Sequence, residues 1–114
     1  MPHIIVEYSK NLEGIIEIPA LISDLHNKLA EQGIDSARIK SRAIACNHVV
    51  VGDKGLSGYM MHLTLLILEG RDLATKKTFG DPLYQIMNDY AARAPEECSA
   101  TLEIRDMNPQ TYYM

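Results

Sequence analysis

The sequence is short of basic charge, of cysteine and of long apolar runs. Eleven Lys and Arg stand against fifteen Asp and Glu, a formal charge of −4. No Lys/Arg run offsets that balance, so a nucleic-acid partner is not expected. The longest stretch without a formal charge, Gly55–Leu68, is well short of the ~20 residues that span a bilayer. The amino terminus has no basic region followed by an apolar run, so neither a secretory leader nor a membrane anchor is expected. The two cysteines, Cys46 and Cys98, are too few for a secreted-type disulfide framework and read as free thiols of a reducing cytoplasm. What is present is ordinary globular composition: 114 residues, 46% apolar and 23% charged. A chain of this length buries roughly two-thirds of its unfolded surface without a metal or disulfide. It reads as a single domain over residues 1–114.

The apolar spacing alternates between two periods. Ile4, Ile5, Val6 and Tyr8 form a β-branched and aromatic run, a strand. Over Ile18–Gln32 the period changes. Leu21, Ile22, Leu25 and Leu29 share one helical face, with Pro19 in the first turn and Gly33 just past the end. Arg38–Cys46 returns to alternation, with Lys40, Arg42 and Ile44 on one side and Ile39, Ser41 and Ala43 on the other. The second half repeats the order. Val49–Val51 and Tyr59–Leu68 are β-rich runs joined by a hairpin-like Gly-Asp-Lys-Gly-Leu-Ser-Gly connection. A helical face follows, comprising Phe79, Leu83, Ile86, Met87, Tyr90 and Ala94, and then an alternating run over Ser99–Asp106. Gly80 and Pro82 interrupt that helix. Either it kinks there or it restarts with Asp81 as N-cap and Pro82 at the first helical position, and a bent second helix is expected.

The halves echo each other at an offset of about sixty residues. His3-Ile4-Ile5-Val6 precedes Asn11-Leu12 as His62-Leu63-Thr64-Leu65 precedes Asp72-Leu73. Two β-α-β pseudo-repeats, about 2–46 and 59–106, imply an α+β fold: a four-stranded mixed sheet with two helices on one face. The other face is left bare. Covering apolar strand residues there calls for a partner, most simply further copies of the chain.

Pro2 is the residue with most chemical potential. If Met1 is removed, a secondary amine opens directly into a core strand. An α-amino group titrates near ~8 in water, and desolvation or neighbouring cations lower that value. Such an amine is a general base at neutral pH or a nucleophile toward carbonyls. With Met1 attached, the same nitrogen is an amide and neither. Lys40 and Arg42 lie on one strand face, where they are either solvated or collect an anion. Arg71 stands at a strand end before a helix, a place that suits anions as well as solvent. His3, His26, His48 and His62 show no metal-ligand spacing. Gly52, Gly55 and Gly58 join two strands and read as turn residues. No Ser or Cys sits in a nucleophile-elbow context.

Pro2-His3-Ile4-Ile5-Val6-Glu7-Tyr8-Ser9-Lys10-Asn11-Leu12 resembles the opening of the 5-carboxymethyl-2-hydroxymuconate delta-isomerases. These are members of the tautomerase superfamily, with 4-oxalocrotonate tautomerase and macrophage migration inhibitory factor. Further matches arrive in register: Gly33-Ile34, Ile39-Lys40-Ser41-Arg42, His62-Leu63-Thr64-Leu65, Gly70-Arg71-Asp72-Leu73 and Leu102-Glu103-Ile104. The resemblance implies a homotrimer of β-α-β pseudo-repeats, an amino-terminal proline as catalytic base and arginines that hold substrate carboxylates. By position Pro2 is the base and Arg71 a carboxylate binder. The family's Arg-Ser-Arg strand motif is Lys40-Ser41-Arg42 here, a change that keeps the charge and loses a bidentate fork.

The resulting expectation is a cytoplasmic, homotrimeric isomerase of bacterial aromatic-acid breakdown. It would move a proton within an unsaturated 2-hydroxy or 2-oxo acid such as 5-carboxymethyl-2-hydroxymuconate. Pro2 is the base, and Lys40, Arg42 and Arg71 neutralise the acid. No cofactor and no metal are expected, because the substrate's own carbonyl serves as electron sink. Two alternatives stay open. One is the same apparatus acting on another enol acid or adding water to an unsaturated acid, which requires an acidic side chain facing Pro2. The other is a non-catalytic oligomeric binding module, distinguished by retention of Met1.

Overall fold

The computed structural model describes residues 1–114. Strands β1 (His3–Ser9), β2 (Lys40–Cys46), β3 (Tyr59–Leu68) and β4 (Cys98–Met107) form one sheet in the order β2-β1-β3-β4. Helix α1 (Ile18–Ala30) links β1 to β2, and α2 (Leu73–Ala91) links β3 to β4. Each linked pair is parallel, and β1 runs antiparallel to β3. Two right-sized β-α-β units therefore meet along their first strands, as the internal echo implies.

Alternation decides which side chains meet the helices. Ile4, Val6 and Tyr8 of β1 and Met61, Leu63, Leu65 and Ile67 of β3 are buried. They form one cluster with Leu21, Leu25 and Leu29 of α1 and Phe79, Leu83 and Met87 of α2. Each fully buried Leu, Ile or Met contributes about 1.5–3 kcal/mol by leaving water. Tyr90 adds a polar link, its hydroxyl donating to Asp24 Oδ2 on α1. The local stops behave as the sequence implies. Pro19 lies in the first turn of α1, and Gly33 takes a φ of 94° just beyond its end, a conformation glycine adopts without strain.

Two expectations are corrected, and one open alternative is decided. Val49–Val51 is not a strand. The Val51 N–H donates to Gly55 O and its carbonyl accepts from Lys54, so the backbone groups a ladder needs are used within the loop. The connection is a short 3-10 segment over Gly52–Ser57, and Val50 is 70% exposed. Of the two courses open to the second helix, the restart at Asp81 is not taken. It runs from Leu73 through Pro82 to Ala91, capped by Asp72, whose carboxylate accepts from the Thr75 N–H. Burial of Phe79 and Leu83 on either side of Pro82 outweighs the one backbone donor that proline lacks.

The second correction concerns the open sheet face, which is not apolar. His3, Ile5 and Glu7 share it with Lys40, Arg42, Ile44, His62, Thr64, Leu66, Thr101, Glu103 and Arg105, as the cross-strand register requires. The central strands send most of their apolar residues to the helices, and the edge strands bring ionic ones.

Gly80 has a packing reason. A Cβ built there would stand 2.9 Å from Ile104 Cδ1, so a side chain at this position requires the tip of Ile104 to shift. A Gly80→Leu substitution should destabilise the fold by about 1–3 kcal/mol through overpacking. Urea unfolding checks this, and an unchanged midpoint would show that the contact yields freely.

Candidate functional site

The register brings three chain segments to one end of the sheet. His3 pairs with Lys40 on one side and with Leu66 on the other. The end of β3 and the Glu69–Asp72 connection therefore run past the amino terminus, as does the Ser36–Arg38 turn that precedes β2. Pro2 is buried. Its carbonyl accepts from the Lys40 N–H at 3.0 Å, which extends the β1–β2 ladder to the second residue and fixes where the terminal amine lies.

That amine is shifted. Burial holds it below the usual α-amino range, and the charges of Arg71, Arg38 and Lys40 depress it further. In this chain the amine belongs to Met1, and the Pro2 nitrogen is an amide. Removal of Met1 would move the amine one residue inward, to a buried position. Desolvation and positive charge both favour the neutral form of an amine.

Arg71 is held from two directions. Its Nη1 donates to Leu68 O at 3.2 Å, and its guanidinium lies over the Phe79 ring, 5.4 Å from the centroid. A cation–π contact with a carbonyl bond fixes the planar group while leaving further N–H donors for a ligand. Lys40 is exposed on the same side of the terminus. Arg42 is placed differently: its Nη1 lies 3.1 Å from His3 Nδ1. Of the sequence candidates, Lys40 and Arg71 thus act together on the amino terminus, whereas Arg42 is engaged with a neighbouring imidazole.

Arg38, His3 and Tyr112 were not singled out by the sequence. Arg38 has the same parity as Lys40 and Arg42, so the alternation contained a signal for it. His3 receives Arg42 at one ring nitrogen and meets the Tyr112 hydroxyl at the other, 2.6 Å from Nε2. Its pKa is lowered, first by burial and then by Arg42, Lys40 and the amino-terminal charge. The imidazole and the terminal amine therefore belong to one electropositive cluster.

The largest groove of the chain lies elsewhere. It measures about 670 Å³, between α2 and β4, lined in part by Leu73, Tyr84, Leu102 and Ile104. None of the sequence candidates lines it. An amine whose neutral form is favoured can accept a proton from a carbon or enol acid. The groove carries ionisable groups of its own, Lys76, Lys77, Asp81 and Glu103.

A family model for 5-carboxymethyl-2-hydroxymuconate isomerase matches residues 2–114. A 5-carboxymethyl-2-hydroxymuconate Delta-isomerase of Escherichia coli is 30% identical over 112 residues, covering 96% of this chain and 89% of the relative. The crystal structure of a 5-carboxymethyl-2-hydroxymuconate isomerase from Deinococcus radiodurans R1 superimposes with a TM-score of 0.90. The identity there is 27%, with 99% of this chain and 87% of that one covered. A fused 4-OT described as a wild-type symmetric trimer shares the fold, with a TM-score of 0.67 at 16% identity, over 93% of this chain and 85% of that one. Together with the four-stranded mixed sheet and its two helices, these likenesses identify the fold as that of the tautomerase superfamily. The chain belongs to the 5-carboxymethyl-2-hydroxymuconate isomerase family and is an isomerase.

Proposed function

We propose that the protein moves a proton within an unsaturated 2-hydroxy or 2-oxo di- or tricarboxylic acid, 5-carboxymethyl-2-hydroxymuconate being the family's example. The observation that carries this reading is Pro2, buried at the end of the sheet with its carbonyl accepting from the Lys40 N–H, beside Arg71, Arg38 and Lys40, whose charges lower the amino-terminal pKa. Once Met1 is removed, the Pro2 nitrogen accepts the proton of the substrate's enol. The electron pair of that O–H bond becomes the carbonyl, the conjugated double bonds shift, and the distal carbon takes a proton from the prolinium. Atoms and charge balance with no cofactor, and the pathway served is the breakdown of aromatic acids in the cytoplasm.

Lys40, Arg38 and Arg71 offset the substrate's carboxylates and the charge that develops on its oxygen. Arg42 belongs to the same cluster through His3. The amino terminus lies at an open sheet end, where a neighbouring copy in a homotrimer would close the site. The trimeric fused 4-OT of the same fold supports that assembly.

The test is an assay of Met1-cleaved protein on a 2-hydroxymuconate-type diacid, with the mass of the same sample measured by light scattering. The expected result is conversion of the dienol to the 2-oxo-3-ene acid by a species of three chains. An active monomer would remove the shared site, and an inactive trimer would leave the binding-module reading in place.

A further inference from the structure

The Arg42–His3–Tyr112 chain has a directional logic. A guanidinium carries donors only, so Arg42 Nη1 at 3.1 Å makes His3 Nδ1 an acceptor. A neutral imidazole then carries its proton on Nε2 and donates it to the Tyr112 hydroxyl oxygen at 2.6 Å. The two rings stand edge to face, with centroids 5.7 Å apart at 82°. A tyrosine oxygen that accepts from His3 must turn its own hydrogen elsewhere, and His3 is the hydroxyl's one hydrogen-bond partner in the structure. The hydroxyl is therefore a preset donor. It is anchored to the residue next to Pro2, beside the Lys40 pairing position.

We propose that Tyr112 is a further substrate-contacting residue, donating its free hydroxyl hydrogen to an oxyanion of the substrate, with His3 and Arg42 as its positioning residues. The inference rests on the proton-shift reading above. The acceptor it fits is an oxygen that gains negative charge during the reaction, a carboxylate-conjugated enolate. Arg38, Lys40 and Arg71 attract the acid as a whole. A neutral, oriented O–H instead discriminates between a carbonyl and the enolate it becomes. Arg42 then acts through His3, and not by direct contact with the acid. Lowering of the His3 pKa by burial, Arg42, Lys40 and the amino terminus keeps the imidazole in the neutral form that this arrangement needs.

The experiment uses Met1-cleaved protein and its Tyr112→Phe, His3→Gln and His3→Ala variants on the same dienol diacid. Long-range proton–nitrogen spectra of the histidine rings accompany the kinetics. The wild type should show His3 as the Nε2–H tautomer. Tyr112→Phe should lower kcat by about tenfold or more with KM nearly unchanged, since the lost bond strengthens only as charge develops. His3→Gln, whose amide can accept from Arg42 and donate to Tyr112, should retain most of the rate that His3→Ala loses. Circular dichroism melts check that each variant is folded, and Tyr112→Phe carries the test if a His3 variant is not. An active wild type with an unaffected Tyr112→Phe, or with the Nδ1–H tautomer, would overturn this inference alone. A wild type without isomerase activity would overturn the proton-shift reading, and this inference with it.

Discussion

Protein that retains Met1 should be folded and unable to transfer the proton. The expected loss is that of the whole general-base contribution, on the order of 10²–10⁴ in rate. The reason is covalent. An amide nitrogen has no available lone pair, and the Met1 amine that replaces it stands one residue outside the buried position of Pro2. Stability should be untouched, because the hydrophobic core cluster begins at Ile4. Pro2→Ala, also cleaved of Met1, should keep part of the activity with a displaced pH profile, since a primary amine remains in the same field of cations. Mass spectrometry of the assayed sample establishes which form is present, and a rate proportional to the cleaved fraction is the expected reading.

Arg71→Ala should raise KM for a diacid about tenfold to a hundredfold. A hydrogen bond to a charged group is worth about 1.5–3 kcal/mol, and about 1.4 kcal/mol is tenfold in affinity. The effect should be large for Arg71 because its guanidinium is held in place by Leu68 O and the Phe79 ring. Little side-chain freedom then remains to be lost on binding. Arg71→Lys should recover charge without the fork and fall between. Removing one positive charge also lets the amine pKa rise, so the acidic limb of the rate profile should move to higher pH in Arg71→Ala. A changed KM with an unmoved limb would separate substrate binding from tuning of the base.

Much of the fold was legible because its two periods are clean. The Ile4, Val6, Tyr8 alternation and the Leu21, Leu25, Leu29 spacing each point to one buried face, and the structure buries those residues. Val49–Val51 misled for a physical reason. β propensity describes a side chain that fits a pleated, half-buried surface, and no neighbouring strand supplies that surface there. Pro82 left two courses open, and the helix runs through it because propensity is local and the burial of Phe79, Leu83 and Met87 is not. The bare sheet face was inferred from apolar content summed over strands, whereas parity sends Lys40, Arg42, Glu103 and Arg105 to that side.

At the candidate site, Lys40, Arg71 and the amino terminus could be picked out individually. Their meeting could not, since it depends on the register that sets His3 between Lys40 and Leu66. The contact between His3 and Tyr112 joins residues at opposite ends of the chain. No periodicity carries such information.

The central claim is that the Pro2 nitrogen is the base, and nitrogen-15 titration of that atom tests it most directly. Met1-cleaved protein labelled at proline should show the terminal nitrogen titrating below the ordinary α-amino value of about 8, if the burial and the cations that lower the Met1 amine act on it one residue inward. The acidic limb of kcat/KM on the dienol diacid should follow the same curve. A Pro2 nitrogen that titrates at or above the ordinary value, or a rate that ignores its titration, would contradict the account.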